Sequence, residues 1–228
     1  MTLPAGLLDA PIAHRGLWRT GAAPENSLAA FEAACRGGYG IELDVRLSAD
    51  GEAMVFHDDT LERLTAEAGL MEEHTAEALR ATRILGSDQY IPTLEEALAL
   101  IAGHVLVLIE LKTPVGQEGL LERRVAELLS EYGGHAGLLS FNPEALAWMA
   151  GHAPHWPRGL NARTVEQLDA ATPCQADFLS VNLKLAVHPQ VQAWRQDGKA
   201  IAWTARTRAE FTAARTLVDN VIFEGCAP

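Results

Sequence analysis

Short apolar runs of β character recur along the chain at 11–16, 40–47, 53–57, 105–111, 137–141, 158–161, 177–182, 199–204 and 219–224. Runs of this length, bounded by polar, Gly or Pro residues, read as strands. Val105 to Leu111 is almost unbroken, as expected of a parallel strand covered on both faces. Between most runs the apolar positions return every three or four residues, the spacing of a helix with one buried face. Thr93-Leu94-Glu95-Glu96, Thr164-Val165-Glu166-Gln167 and Thr207-Arg208-Ala209-Glu210 each have the form of a capping box. Asn142-Pro143 offers an N-cap followed by Pro at the first helical position. The first helix is expected to start at Asn26 or Ser27, bury Leu28, Phe31 and Cys35, and close at Gly37-Gly38. Further helices are expected over 94–101, 118–132 and 189–197, whereas 59–90 is polar with weak helical periodicity around 72–80.

Repeated β–α alternation over 228 residues predicts one domain, 1–228, folded as a (β/α)8 TIM barrel. The barrel should be slightly irregular. Ala49-Asp50-Gly51 turns run 40–47 directly into 53–57, too short a link for a crossover helix, so 40–57 is a hairpin. The strand candidates therefore exceed what the barrel needs by one. A doubly wound sheet is the alternative, but no GxGxxG follows the first run.

Three polar islands stand at strand ends: Ala13-His14-Arg15-Gly16, Ile41-Glu42-Leu43-Asp44 and Val55-Phe56-His57-Asp58. Glu42 and Asp44 are two apart, which in a strand puts both carboxylates on one face. Carboxylates that close repel each other and lose hydration, so a cation should hold them, and a divalent metal is the economical candidate. His14, His57 and Arg15 at neighbouring strand ends add the parts for acid–base work on an anionic substrate. Singly, each reads as a loop histidine or a solvated cation. Their convergence where a barrel builds its site points to catalysis.

Charge narrows the partners. With 30 acidic residues against 18 Lys and Arg the net charge is −12, so neither nucleic acid nor an anionic membrane attracts this chain at long range. The N-terminal Met-Thr-Leu-Pro-Ala-Gly has no basic leader and no stretch reaches membrane-spanning length, so a cytoplasmic protein without stable membrane association is expected. Cys35, Cys174 and Cys226, odd in number and far apart, read as thiols in a reducing compartment.

Seven pieces, in order over about 11–206, resemble the glycerophosphodiester phosphodiesterase family: His14-Arg15-Gly16, Pro24-Glu25-Asn26-Ser27, Glu42-x-Asp44, His57-Asp58, Ile91-Pro92-Thr93-Leu94-Glu95-Glu96, Glu110-x-Lys112 and Trp203-Thr204. The resemblance implies a TIM-barrel hydrolase of lipid and glycerol metabolism that splits small glycerophosphodiesters into glycerol 3-phosphate and an alcohol. It implies one Mg2+ or Ca2+ ion on Glu42, Asp44 and Glu110, and catalytic histidines at His14 and His57. It also sets Arg15 and Lys112 beside the phosphate and Trp203 against the substrate's carbon skeleton. Without it, Glu110 and Lys112 read as a structural pair and Trp203 as core. Three other readings keep the barrel: the same site on a lysophospholipid or another diester, a non-catalytic phosphate- or polyol-binding barrel, and a carboxylate-pair glycosidase. Intact His14 and His57 argue against the second, and the glycosidase leaves both histidines and Arg15 without a place. The chain departs from the family at Ala205-Arg206, where Val-Asn is usual, and at Phe223-Glu224, where Thr-Asp is usual. Arg206 and Glu224 are therefore expected to pair at the pocket and influence which alcohol is accepted.

Overall fold

The computed structural model describes residues 3–84, 86–226 and 228. Nine strands form one sheet: β1 (Ile12–His14), β2 (Gly40–Leu47), β3 (Ala53–Val55), β4 (Val107–Leu111), β5 (Ala136–Ser140), β6 (Arg158–Ala162), β7 (Phe178–Asn182), β8 (Ala200–Ala205) and β9 (Asn220–Phe223). β1 pairs in parallel with both β2 and β9, and the sheet closes into an eight-stranded parallel barrel. The surplus strand is β3, which hangs antiparallel from β2 through Val45↔Val55. Its short hairpin cannot carry the chain back to start a parallel strand, so β2 pairs onward with β4 instead.

The outer layer consists of helices α1 (Leu28–Gly37), α2 (Ala76–Ala81), α3 (Leu94–Ile101), α4 (Leu120–Ser130), α5 (Pro143–His152), α6 (Val165–Leu168), α7 (Pro189–Trp194) and α8 (Arg208–Arg215). Local signals set their starts. The Thr93–Glu96 and Thr207–Glu210 boxes form, and Asn142 caps α5 with Pro143 at its first position. At α6 only half of the box closes by hydrogen bonding, the Gln167 side chain accepting from the Thr164 N–H at 3.2 Å. Ser27, not Asn26, is the N-cap of α1, and Gly38 ends it at φ 68°, a conformation that favours glycine. The deeply buried face of α1 is Ala30, Phe31 and Ala34 rather than Leu28, Phe31 and Cys35, because small residues let the helix approach the sheet closely. α4 and α7 stop sooner than expected, at Ser130 and Trp194.

Two apolar layers result. Helices pack on the outside of the barrel around Phe31, Leu43, Ile109, Leu138 and Val181. Inside, Ile12, Leu108, Leu139, Phe178, Ile201 and Ile222 fill the lower barrel, with Leu7 among them. The segment 59–90 makes its own small core against β3, with Met54, Phe56, Leu61, Met71 and Leu79 buried together. That core explains its weak periodicity: a 3-10 turn at Met71–Glu73 and the short α2 need only scattered apolar anchors. Among the described residues, no helix is long and apolar enough to cross a membrane.

Candidate active site

The mouth of the barrel is built by strand register. His14 pairs with Glu42 across β1 and β2, and Asp44 pairs with Glu110 across β2 and β4. Neighbours in register share a face, so one histidine and three carboxylates rise from three adjacent strands into one space. Oxygens of Glu42, Asp44 and Glu110 lie within 4.8 Å of one another, all three residues buried. Lys112, just past β4, reaches Asp44 Oδ1 at 2.9 Å and Glu110 Oε1 at 2.5 Å.

The loop after β1 is locally strained. Arg15 adopts φ 57° and Gly16 φ 80°, and a Cβ on Gly16 would meet the Ala30 backbone and the Phe31 ring at 2.9 Å. This bend lets the Arg15 N–H donate to Glu42 Oε2 at 3.1 Å while its guanidinium donates to Glu25 Oε1 at 2.5 Å. Arg15 Nε lies 3.2 Å from Asp44 Oδ2 but is not directed at it, leaving a buried donor without a hydrogen bond. Asn26, also left-handed at φ 57°, grips Asp44 twice: its Nδ2 donates to Oδ2 at 2.8 Å and its Oδ1 accepts from the Asp44 N–H at 3.3 Å.

The charges respond to this crowding. Burial and the neighbouring Asp44 push Glu42 up to about 8. Burial opposes ionisation of Asp44, but Lys112 and Arg15 outweigh it and hold this carboxyl below its ordinary value. Glu110 is raised by burial and Asp44 against the pull of Lys112. A carboxylate driven toward its neutral form beside two others is what a site for a hard cation looks like before the cation's charge is counted. Three carboxylates are an oxygen donor set suited to such an ion, and the residues fit it.

The two histidines flank this cluster and differ. His14 Nδ1 meets Glu224 Oε2 at 2.6 Å, and its Nε2 lies 3.9 Å from Glu42 Oε2. Burial works against its charge, yet Glu224 and Glu42 prevail and its pKa is raised. His57 Nδ1 meets Asp58 Oδ1 at 2.6 Å. Burial, with Lys112 and Arg15 nearby, lowers its pKa despite Asp44 and Asp58. Asp58 is itself fixed by the Arg63 guanidinium, which also grips Glu25 at 2.7 and 3.0 Å. Arg63 thereby ties the partner of His57 to the partner of Arg15.

All eight residues singled out from sequence thus meet at one mouth, and seven of them line a single cavity of about 310 Å3: His14, Arg15, Glu42, His57, Glu110, Lys112 and Trp203. Asp44 lies buried beneath it, 1% exposed. Sequence reading missed the supporting groups. Glu25 and Asn26 lay inside the quoted Pro-Glu-Asn-Ser stretch, and Asp58 adjoined His57. Glu224 was expected to pair with Arg206, and does at 3.3 Å, but its tighter contact is His14, 210 residues away.

A family model described as the Glycerophosphoryl diester phosphodiesterase family matches residues 14–224. A glycerophosphodiester phosphodiesterase of Caldanaerobacter subterraneus subsp. tengcongensis is 35% identical over 159 residues, 65% of this chain and 65% of that protein. A glycerophosphodiester phosphodiesterase of Bacillus subtilis is 30% identical over 182 residues, 70% of this chain and 59% of that protein. The chain thus spans less than two thirds of the length of these curated relatives. Among solved structures, an Oleispira antarctica phosphodiesterase in complex with the product sn-glycerol-3-phosphate superposes with a TM-score of 0.86 at 28% identity, over 95% of this chain and 93% of that one.

Proposed function

Since this chain belongs to the glycerophosphoryl diester phosphodiesterase family, by a match over residues 14–224, we propose that it hydrolyses glycerophosphodiesters to glycerol 3-phosphate and an alcohol. The observation that carries the reading is the pair of unlike histidines on either side of a three-carboxylate cluster. Hydrolysis needs one group to take a proton and another to give one, and the two environments favour opposite forms.

In this reading the diester phosphate enters between Arg15 and Lys112, whose charges offset its own. A divalent cation, Mg2+ or Ca2+, held by Glu42, Asp44 and Glu110 would supply Lewis-acid stabilisation of a phosphoryl oxygen. His57, neutral and donating Nδ1–H to Asp58, presents Nε2 as the base that takes a proton from the attacking water. The water oxygen bonds to phosphorus as the bond from phosphorus to the alcohol oxygen breaks. His14, kept charged by Glu224, protonates the leaving alkoxide. Trp203 packs against the carbon skeleton of the substrate. The test is release of glycerol 3-phosphate from a panel of glycerophosphodiesters with Mg2+, with Ca2+ and with EDTA. No release under any condition would overturn the reading.

One observation favours a second substrate class. A groove of about 640 Å3 beside Lys112 is lined by Leu47, Leu70, Met71 and Leu120 alongside Glu72 and Glu73; Leu120, which opens α4, is 60% exposed, and Val115 in the loop before it is 82% exposed. Such a groove could take one acyl chain of a lysophospholipid, whose head group the same mouth would release. Choline release from lysophosphatidylcholine, lost in L120D but retained on glycerophosphocholine, would support it.

A further inference from the structure

The cavity has two unlike walls. On the side of β1, β2 and β4 every cation touches a carboxylate. On the opposite side, at the C-terminal ends of β5, β6, β7 and β8, it is lined by Phe141, Asn161, Arg163, Asn182 and Trp203. Phe141 and Trp203 meet edge to face at 5.6 Å. The cationic carbon of Arg163 sits over the Phe141 ring at 4.3 Å and 5.8 Å from the Trp203 ring. Among the described residues the Arg163 guanidinium has these ring contacts and no ion pair. Arg206 on the same rim differs, because it has a carboxylate partner in Glu224, which it shares with His14. Asn161 Oδ1 and Trp203 Nε1 on this wall, both closed to solvent, also have no hydrogen-bond partner among the described residues.

We propose that Arg163 sets substrate choice: the wall it shares with Asn161 and Trp203 selects diesters whose alcohol carries a second anionic group. The inference rests on the phosphodiesterase reading above and adds the class of alcohol. Aromatic faces such as Phe141 and Trp203 are the usual attraction for a quaternary ammonium. Here the chain's own guanidinium covers one of them, so a choline or ethanolamine arm meets a like charge on arrival. A phosphate or carboxylate on that arm meets instead a guanidinium held by the rings, with N–H groups suited to a bidentate contact.

The experiment compares kcat/KM for glycerophosphocholine and glycerophosphoinositol 4-phosphate in wild type, R163Q and R163K, with saturating divalent cation at low salt. Wild type should prefer the anionic probe. R163Q should lose about 10–100-fold on that probe, the worth of a hydrogen bond to a charged group, and gain on glycerophosphocholine as the like charge is removed. R163K should retain part of the preference. Arg163 is exposed, so R163Q should fold normally, and equal circular dichroism and thermal midpoints would establish that. An unchanged ratio of the two probes in R163Q, with both still hydrolysed, would overturn the assignment of Arg163 alone. Hydrolysis of neither probe by wild type would overturn the phosphodiesterase reading and this inference with it.

Discussion

Two inward-facing positions on one strand differ by two residues and could hardly differ more. Leu108 sits in the lower barrel among Ile12, Leu139, Phe178, Ile201 and Ile222, fully buried and apolar. Glu110, one step up the same face of β4, stands among two carboxylates and an ammonium. The lower layer gains from every methylene removed from water. The upper layer gains nothing of that kind, because Glu42 is pushed toward its neutral form simply by being there. Stability is therefore generated below and spent above, and the two halves should respond oppositely to substitution.

The largest contrast is expected at Glu42. E42Q should reduce diester hydrolysis by about 10³-fold or more, by loss of a ligand from the proposed ion site. Without metal, however, E42Q should melt at a higher temperature than wild type. The sign follows from its raised pKa: stability is intact below the ordinary value of 4.5 and is lost as pH rises through about 8. Calorimetry in EDTA between these limits should show a downward slope with pH in wild type that E42Q flattens. A lower melting temperature for E42Q would break the comparison.

Next come the histidines and the lower barrel, with effects similar in size but on different quantities. H57A and H14A should each lower kcat by about 10²–10⁴-fold with much less change in KM, and steady-state kinetics on one diester decides it. F178A should cost about 3–5 kcal/mol of stability by leaving a cavity in the lower layer, while kcat per folded molecule stays nearly the same. Denaturant unfolding paired with active-site titration separates the two.

The smallest effect sharpens the difference between the histidines. E224Q removes the main support of the His14 charge, so the alkaline limb of the kcat/KM profile should move to lower pH. Stability should show the same pairing. The Glu224 carboxyl is held at about 2, chiefly by its hydrogen bond to His14, so its contribution is present above 4.5 and lost as pH falls toward about 2. The raised His14 contributes below 6.5 and loses that as pH rises through its folded value. In metal-free protein the deficit of E224Q, about 1–3 kcal/mol, should be greatest between 4.5 and 6.5. An unmoved alkaline limb would remove His14 from the role of acid.

Much of this molecule can be read locally. Capping boxes at Thr93 and Thr207, the Asn142-Pro143 start, the hairpin at 49–51 and the carboxylate pair Glu42 and Asp44 each depend on residues a few positions apart. Hydrogen bonds of a cap and the two-residue repeat of a strand need nothing from the rest of the chain. The run of alternating elements then leaves few ways to cover both faces of so many strands, so the barrel and the end at which its site lies also follow. What no local pattern contained is which strand would be left out, and which charge would answer which. β3 leaves the barrel only because β2 finds β4. Glu224 reaches His14 only because closure sets β9 beside β1, and Arg63 joins Asp58 to Glu25 only because the loop after β3 folds back over the one after β1. A charge can act on any group within a few ångströms whatever its place in the chain. Most elements were thus determined by the sequence alone, whereas the opposite pKa shifts of the two histidines and, among the described residues, the lack of an ion pair on Arg163 were decided by tertiary structure, since both depend on distances that only closure of the barrel creates.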